Sequence, residues 1–413
     1  MPNDKTTLTT EQLNELVKKR VDNTSLDTTN KSSQPAPIIF AQKMQIIDLS
    51  SIIQAKKKTE KENESKEEVD EVVPFLLPKM HTMRKHLDSH VIGQELAKTT
   101  IVRAVHMHLA RCFVPSNNPV KLRKKNVLLR GPSGCGKTEI ARTLAEFLDI
   151  PLLIVDCASI TPAGFKGKNI IDIAIDIFMN SNEDVNLAET SIVFLDEFDK
   201  IGAKANKDEV AGFKSSVLND LLKFIEGDKI SFKLDPQSNT IILNTENMLI
   251  IAAGAYTGME DFFTEKGEIG FNAEQIGDNT PTYNEITDAV GIDHYIKYGI
   301  NEQVLGRLPI RTHCYELTED ELVQIQRDTV NSVAKQEIEQ FFRLDQSPAL
   351  TIGEDVMHYI AKLAISQKTG ARELDTRYET LFAEVYNETE EDECIRAIRV
   401  TIKDGKPFFQ RQR

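Results

Sequence analysis

The chain has 413 residues, of which 40% are hydrophobic and 28% charged, and its formal net charge is −14. Proportions this close to the globular average exclude collagen-like, wholly disordered and disulfide-scaffold chains, and the length holds two or three domains. The acidic balance speaks against a nucleic-acid partner, because phosphate contacts are made by clustered Lys and Arg.

Residues 1–75 are rich in Thr, Ser, Asn and Lys, and Ala55 to Glu71 is almost entirely charged with both signs mixed. Such a stretch buries too little apolar surface to offset its ordering entropy, so 1–75 is expected to be a partly disordered linker or solvated helix. The short apolar patches at Ile38–Phe40 and Ile46-Ile47 leave open a small docking element or a plain tail. From residue 76 the texture changes. Asn126–Leu129, Leu152–Val155, Ile192–Leu195 and Met248–Ala252 are short, largely apolar runs that read as parallel strands buried on both faces. Helical periods separate or flank them at Glu95–Arg111, Thr138–Leu148, Ile170–Phe178 and Ser215–Ile225. Strand–helix alternation predicts a doubly wound α/β domain over 76–316 with ligands at the carboxyl ends of the strands. The remainder, 317–413, reads as a smaller, mostly helical α+β domain: helices over Glu319–Phe342, Glu354–Ser366 and Ala371–Asn387, then a strand over Ile395–Ile402. Five scattered cysteines (Cys112, Cys135, Cys157, Cys314, Cys394) contain no C-x-x-C pair, and none precedes residue 74. That predicts reduced thiols in a cytosol and no zinc. No basic-then-apolar leader and no long apolar run is present, so a soluble, cytoplasmic protein without a membrane partner is expected.

Two motifs carry chemistry. Gly131-Pro132-Ser133-Gly134-Cys135-Gly136-Lys137-Thr138 fits G-x-x-x-x-G-K-[ST], follows a predicted strand and opens a predicted helix. Glycines let backbone N–H groups close around phosphate, and the helix N-terminus faces the same charge. Lys137 would reach the β- and γ-phosphates, and Thr138 would place its hydroxyl on Mg²⁺. Cys135 is either a thiol activated by the helix N-terminus or simply a small residue the loop tolerates. Farther on, the run Ser191 to Leu195 ends in Asp196-Glu197. An apolar run ending in Asp-Glu is commonplace alone; paired with a phosphate loop, it favours hydrolysis over mere binding. Asp196 would hold Mg²⁺ through its water shell and Glu197 would orient and deprotonate the attacking water.

Read together, LLRGPSGCGKTEIARTLAEFLDIP and IVFLDEFDKIG resemble AAA+ ATPases of the ClpX/HslU group. ClpX is the nearer pattern, because no intermediate domain interrupts the two nucleotide motifs. Other segments agree in order. HVIGQELAK resembles the adenine-contacting motif, which implies that Val91 and Ile92 lie against the base; the phosphate-loop residues and Glu139 complete the nucleotide contacts. TPAGFKGKNI resembles the first pore loop, implying that Gly164, Phe165, Lys166 and Gly167 grip polypeptide, with Phe165-Lys166 where the group has Tyr-Val. LLKFIEGDKI precedes the second pore loop, which here offers only Lys233 to Thr240 and no basic cluster. VLGRLPIRTHCYELTEDEL resembles the box holding the arginine finger, implying that role for Arg307, acting on a neighbouring subunit's nucleotide. KTGARELDT resembles the sensor-2 region, implying that role for Arg372. Ile269-Gly270-Phe271 stands where ClpX carries its loop for docking on ClpP. No residue can be named for sensor 1. The resemblance therefore implies a homo-hexameric ring that uses ATP and Mg²⁺ to unfold and translocate tagged or unfolded proteins. It also implies a ClpP-type peptidase partner, since no G-x-S-x-G or H-E-x-x-H motif suggests proteolysis by the chain itself. The altered pore loops also suit an alternative, an ATP-binding assembly chaperone or scaffold not coupled to proteolysis.

Overall fold

The computed structural model describes residues 77–114, 120, 122–162, 167–202, 210–264, 282–343, 349–391 and 395–412, all within one compact unit of the chain. Gly164, Phe165 and Lys166, the tripeptide Ile269-Gly270-Phe271 and the predicted N-terminal segment lie outside the described residues. The strands are β1 (Val127–Arg130), β2 (Leu152–Asp156), β3 (Ile192–Asp196), β4 (Lys229–Phe232), β5 (Ile241–Asn244), β6 (Leu249–Gly254), β7 (Ile310–His313), β8 (Ala349–Ile352), β9 (Ala397–Lys403) and β10 (Lys406–Gln412). The helices that matter here are α1 (Met80–Asp88), α2 (Glu95–Phe113), α3 (Lys137–Leu148), α4 (Ile170–Asn180), α5 (Val210–Glu226), α6 (Tyr283–Ala289), α7 (Ile292–Tyr298), α8 (Glu302–Arg307), α9 (Glu319–Asp328), α10 (Val333–Phe342), α11 (Glu354–Gln367) and α12 (Arg372–Glu391).

The main sheet has the order β2-β3-β6-β1-β7 and is parallel throughout. Its central strands are continuous apolar runs because both faces are covered; all four residues of β1 and all six of β6 are buried. Side chains alternate between two cores. Val127, Leu129, Phe194 and Ile251 face α1, α2 and α3, whereas Leu128, Val193, Leu195 and Ile250 face α4, α5 and α7. The alternation fixes β1 in register, so the chain leaves its carboxyl end directly above the sheet edge where β3 also stops. The predicted doubly wound α/β domain is therefore observed, with its fifth strand, β7, supplied by a segment the apolar pattern did not mark.

A separate core runs from Leu322 to Val400, packing α9 to α12 against the sheet β10-β9-β8. One expectation needs correction here. The single helix predicted over Glu319–Phe342 is two helices. α9 opens on a capping box between Thr318 and Glu321, then stops where the Thr329 hydroxyl donates to Ile325 O at 2.7 Å. The Ser332 side chain caps α10 by accepting from Lys335 N at 3.2 Å. Short hydroxyl side chains in succession bind the backbone locally and outcompete helix continuation. The predicted last strand is one arm of a hairpin, turning at Asp404 and Gly405, both in the left-handed region (φ 52 and 75), as a two-residue Asp-Gly turn requires.

The segment expected to form the second pore loop, Lys233 to Thr240, is the exposed tip joining β4 to β5. Ile230 and Phe232 anchor this hairpin in the core at 8% and 5% exposure.

Candidate active site

The phosphate loop springs from β1. Gly131 N donates to Gly254 O of β6 at 3.2 Å, so the first loop residue is still held by the sheet. Gly134 and Gly136 take φ of 69° and 95°. Gly136 then caps α3 without a side-chain bond, which leaves the first N–H groups of that helix turned toward the loop as an anion cradle. Lys137 sits half-buried, its Nζ donating to Gly131 O at 2.8 Å and Pro132 O at 2.7 Å. The ammonium is thus held inside the curve of the loop, where phosphate charge is to be met.

β3 delivers the two carboxylates beside it. Thr138 Oγ1 lies 3.4 Å from Asp196 Oδ2, so the hydroxyl and the carboxylate predicted to share Mg²⁺ are neighbours. The donor set fits that ion: a hydroxyl and a carboxylate beside a phosphate loop. Asp196 Oδ1 accepts from Glu197 N at 2.9 Å. Glu197 is exposed and holds φ of 51°, a conformation a non-glycine residue adopts only when its surroundings compel it. The chain therefore turns sharply directly after β3.

The segments expected to contact the base and to act as a sensor close on the same loop. A Cβ on Gly136 would lie 3.7 Å from Val91 Cγ1, which places Val91 against the loop; Ile92 beside it is half-buried. Gln94 ties this segment to the chain after β7, donating from Nε2 to Tyr315 O at 2.9 Å and accepting from Tyr315 N at 2.8 Å. From the small domain, Ala371 N donates to Gly134 O at 2.9 Å and Arg372 Nη1 donates to Ser133 Oγ at 3.1 Å. A Cβ on Gly134 would stand 2.1 Å from Thr369 O, so loop and small domain meet backbone to backbone. Glu139 is exposed on α3 and accepts from Thr143 at 3.5 Å.

Arg307 is elsewhere. Its carbonyl accepts from Asn126 Nδ2 at 3.2 Å, at the amino end of β1, about 16 Å of strand away from the loop. Its guanidinium pairs with Glu226 and donates to Gln303 O at 2.7 Å. Within one chain it does not join the carboxylates.

The sequence pattern overlooked three residues here. β6 ends on Gly254 without a polar side chain. The buried Asp199 fills the place: a Cβ on Gly254 would lie 2.6 Å from Asp199 Oδ1, and Asp199 Oδ2 accepts from Tyr256 N at 3.3 Å. The third acid of Leu195-Asp196-Glu197-Phe198-Asp199 was the available signal. Arg130, directly before the loop, is fully buried with its guanidinium 5.8 Å from the Tyr283 ring. Cys314, after β7, packs under the loop against Cys135. No local sequence signal marks either of these two.

Residues 127–262 match the family described as ATPase family associated with various cellular activities (AAA). The chain is 35% identical over 316 residues to the ATP-dependent Clp protease ATP-binding subunit ClpX of Treponema denticola, covering 74% of this chain and 76% of that protein. It is 33% identical over 354 residues to the ClpX proteins of Borrelia duttonii and Borrelia recurrentis, covering 82% of this chain and 81% of theirs. The chain belongs to the ClpX family of AAA ATPases. As a ClpX-family member it is an ATP-hydrolysing enzyme, and nucleotide binding with Mg²⁺ goes with that family. Among the described residues no helix is long and apolar enough to cross a membrane.

Proposed function

We propose that this ClpX-family chain works as a ring, a homo-hexamer, that hydrolyses ATP to unfold and translocate tagged or unfolded proteins and hands them to a ClpP-type peptidase. The observation that carries the reading is the convergence of Lys137, Thr138, Asp196 and Glu197 at one sheet edge, with the small domain bonded to the same loop through Ala371 and Arg372. Residues 76–316 form the motor's large domain and 317–413 its lid. Val91 and Ile92 hold the base, and the backbone from Gly131 to Thr138 holds the phosphates. Thr138 and Asp196 hold Mg²⁺, which when bound neutralises phosphate charge. Lys137 steadies the transferred phosphoryl group as its charge redistributes, and Glu197 accepts the proton of the attacking water. Arg307 completes the site of the next subunit, stabilising transition-state charge there; its place at the amino end of β1 supports action in trans. Arg372 couples the state of the loop to the lid.

Gly164 to Gly167 line the axial pore, with Phe165 pressing on the substrate, and Ile269-Gly270-Phe271 dock on the peptidase ring. The protein is cytoplasmic, needs no zinc and binds no nucleic acid. Degradation of a tagged, folded reporter by this protein with ClpP and ATP tests the whole reading. ATP-dependent loss of the reporter is expected. Unfolding without degradation would remove the peptidase partner, and unchanged ATPase rates with no unfolding would favour the scaffold alternative.

A further inference from the structure

Two cysteines from distant parts of the sequence meet beneath the phosphate loop. Cys314 directly follows β7, and its N–H donates to Arg130 O at 2.7 Å, extending the β1–β7 pairing by one step to stand beside Gly131. Cys135 curls back toward it from the far side of the loop. A Cβ built on Gly131 would lie 2.8 Å from Cys314 Cβ and 3.0 Å from Cys135 Sγ, so a glycine is all that fits between them and the pair faces across it. The two cysteines thus border the same glycine, and each shifts the titration of the other. Both are buried, at 3% and 0% exposure, and Lys137 Nζ stands 4.0 Å from Cys135 Sγ. Nothing in ATP hydrolysis calls for either sulfur.

We propose that Cys135 and Cys314 are a redox pair which a hydroperoxide closes into a disulfide, shutting the nucleotide site, and which a dithiol reopens. The chemistry balances with peroxide as the two-electron oxidant. The Cys135 thiolate attacks one peroxide oxygen, the O–O bond breaks and hydroxide leaves, giving the sulfenic acid. The Cys314 sulfur then attacks the Cys135 sulfur; the S–S bond forms, the S–O bond breaks, and the departing hydroxide leaves as water with the Cys314 proton. Two thiols and one hydrogen peroxide become one disulfide and two waters. The environment distinguishes attacker from resolver. Burial works to raise the Cys135 thiol, but the bond from Cys314 and the Lys137 ammonium outweigh it and bring it down to about 7. Cys314 is held well above the ordinary thiol range by that same bond and by burial. Access for a molecule as small as hydrogen peroxide needs only a brief parting of the loop from Thr369 and Gly370.

Closing the bridge draws the Cys135 sulfur from contact to a bonded distance of about 2.0 Å, which pulls the middle of the phosphate loop toward the end of β7 and out of the curve that lets its backbone N–H groups wrap a phosphate. Because the coupling is reciprocal, bound ATP must in turn slow bridge formation. The inference rests on Gly131 to Thr138 binding ATP, which is measured first on the reduced, full-length protein with a fluorescent ATP analogue. No binding there would defeat the phosphate-loop assignment itself. The protein is then treated with hydrogen peroxide, with and without saturating ATP, and digested under non-reducing conditions. Expected are a Cys135–Cys314 linked peptide, nucleotide affinity weakened by about 5- to 150-fold, recovery with dithiothreitol, and slower linkage when ATP is present. Cys314→Ala and Cys314→Val should retain basal ATPase activity and lose peroxide sensitivity. Loss of binding without the linked peptide, or in both Cys314 variants, would assign the effect to Cys135 oxidation alone and overturn the pair. A linked peptide with unchanged binding would overturn the switch.

Discussion

The contact between the lid and the phosphate loop can be broken without touching a phosphate ligand, by Gly370→Ala. Gly370 holds φ of 60°, and a Cβ there would lie 2.8 Å from both Gly134 O and Ser133 O. These are backbone oxygens of the loop and cannot swing aside as a side-chain tip would. The left-handed conformation costs alanine about 1–2 kcal/mol. Parting the loops also loses the bond from Ala371 N to Gly134 O, worth about 0.5–1.5 kcal/mol. If closure over nucleotide requires this contact, the combined about 1.5–3.5 kcal/mol weakens ATP binding by up to roughly 10- to 300-fold. Equilibrium titration with a fluorescent ATP analogue reads the change, and a thermal melt of the same sample verifies folding. Ser133→Ala, which removes only the hydroxyl partner of Arg372, should shift affinity by less than tenfold, about 1 kcal/mol or below. A folded Gly370→Ala protein with unaltered ATP affinity and turnover would refute the coupling of lid to loop.

Glu197→Gln should bind ATP and lose about 10²–10⁴-fold in steady-state hydrolysis, since the amide cannot take the water's proton. Lys137→Ala should abolish tight nucleotide binding in the same titration, the charge that meets the phosphates being gone. Arg307→Ala should bind ATP and hydrolyse it about 10³-fold more slowly or worse. Mixed with Glu197→Gln subunits it should regain some turnover, and mixed rings that assemble yet stay dead would rule out a shared site. Acid should weaken the fold through His108, whose Nε2–H donates to Thr190 O at 2.8 Å. Burial lowers this histidine from 6.5 to about 4. A depressed folded-state value means the unfolded chain takes the proton first, so stability is full above 6.5 and drains as pH falls toward 4. Urea unfolding at pH 7 and pH 5 should show about 2 kcal/mol lost from this group, a part of the loss that is absent in His108→Gln.

The nucleotide motifs were legible because their chemistry is local: a loop of glycines needs a strand before and a helix after, and both are marked within a dozen residues. β1, β3 and β6 were legible because burial on two faces demands unbroken apolar runs. β7 escaped because Ile310-Arg311-Thr312-His313 sits at the sheet edge, where only one face needs apolar cover. The hairpin β9–β10 carried an Asp-Gly turn that the alternation before it overshadowed. The break between α9 and α10 was hidden by Val330 and Val333, which continue the apolar period through a segment whose hydroxyls end the helix. Asp199 beside Gly254, and Cys314 beneath Cys135, are contacts between segments far apart in the chain. No spacing rule sees such pairs until the sheet has brought their strands together.

The pairing of Arg307 with Glu226 has a consequence for the economy of the cell. On the role proposed for Arg307, a subunit alone keeps this finger against its own helix, with the length of β1 between it and its own phosphate loop. Stray subunits, newly made or shed from a ring, would then hold ATP without spending it. Specific turnover should climb with protein concentration and fall on dilution, with assembly itself acting as the throttle. On that reading an arriving neighbour has to draw Arg307 away from Glu226, so closing the ring would exchange an ion pair within one chain for a charge contact across two. Fuel consumption would then be confined to particles complete enough to do mechanical work.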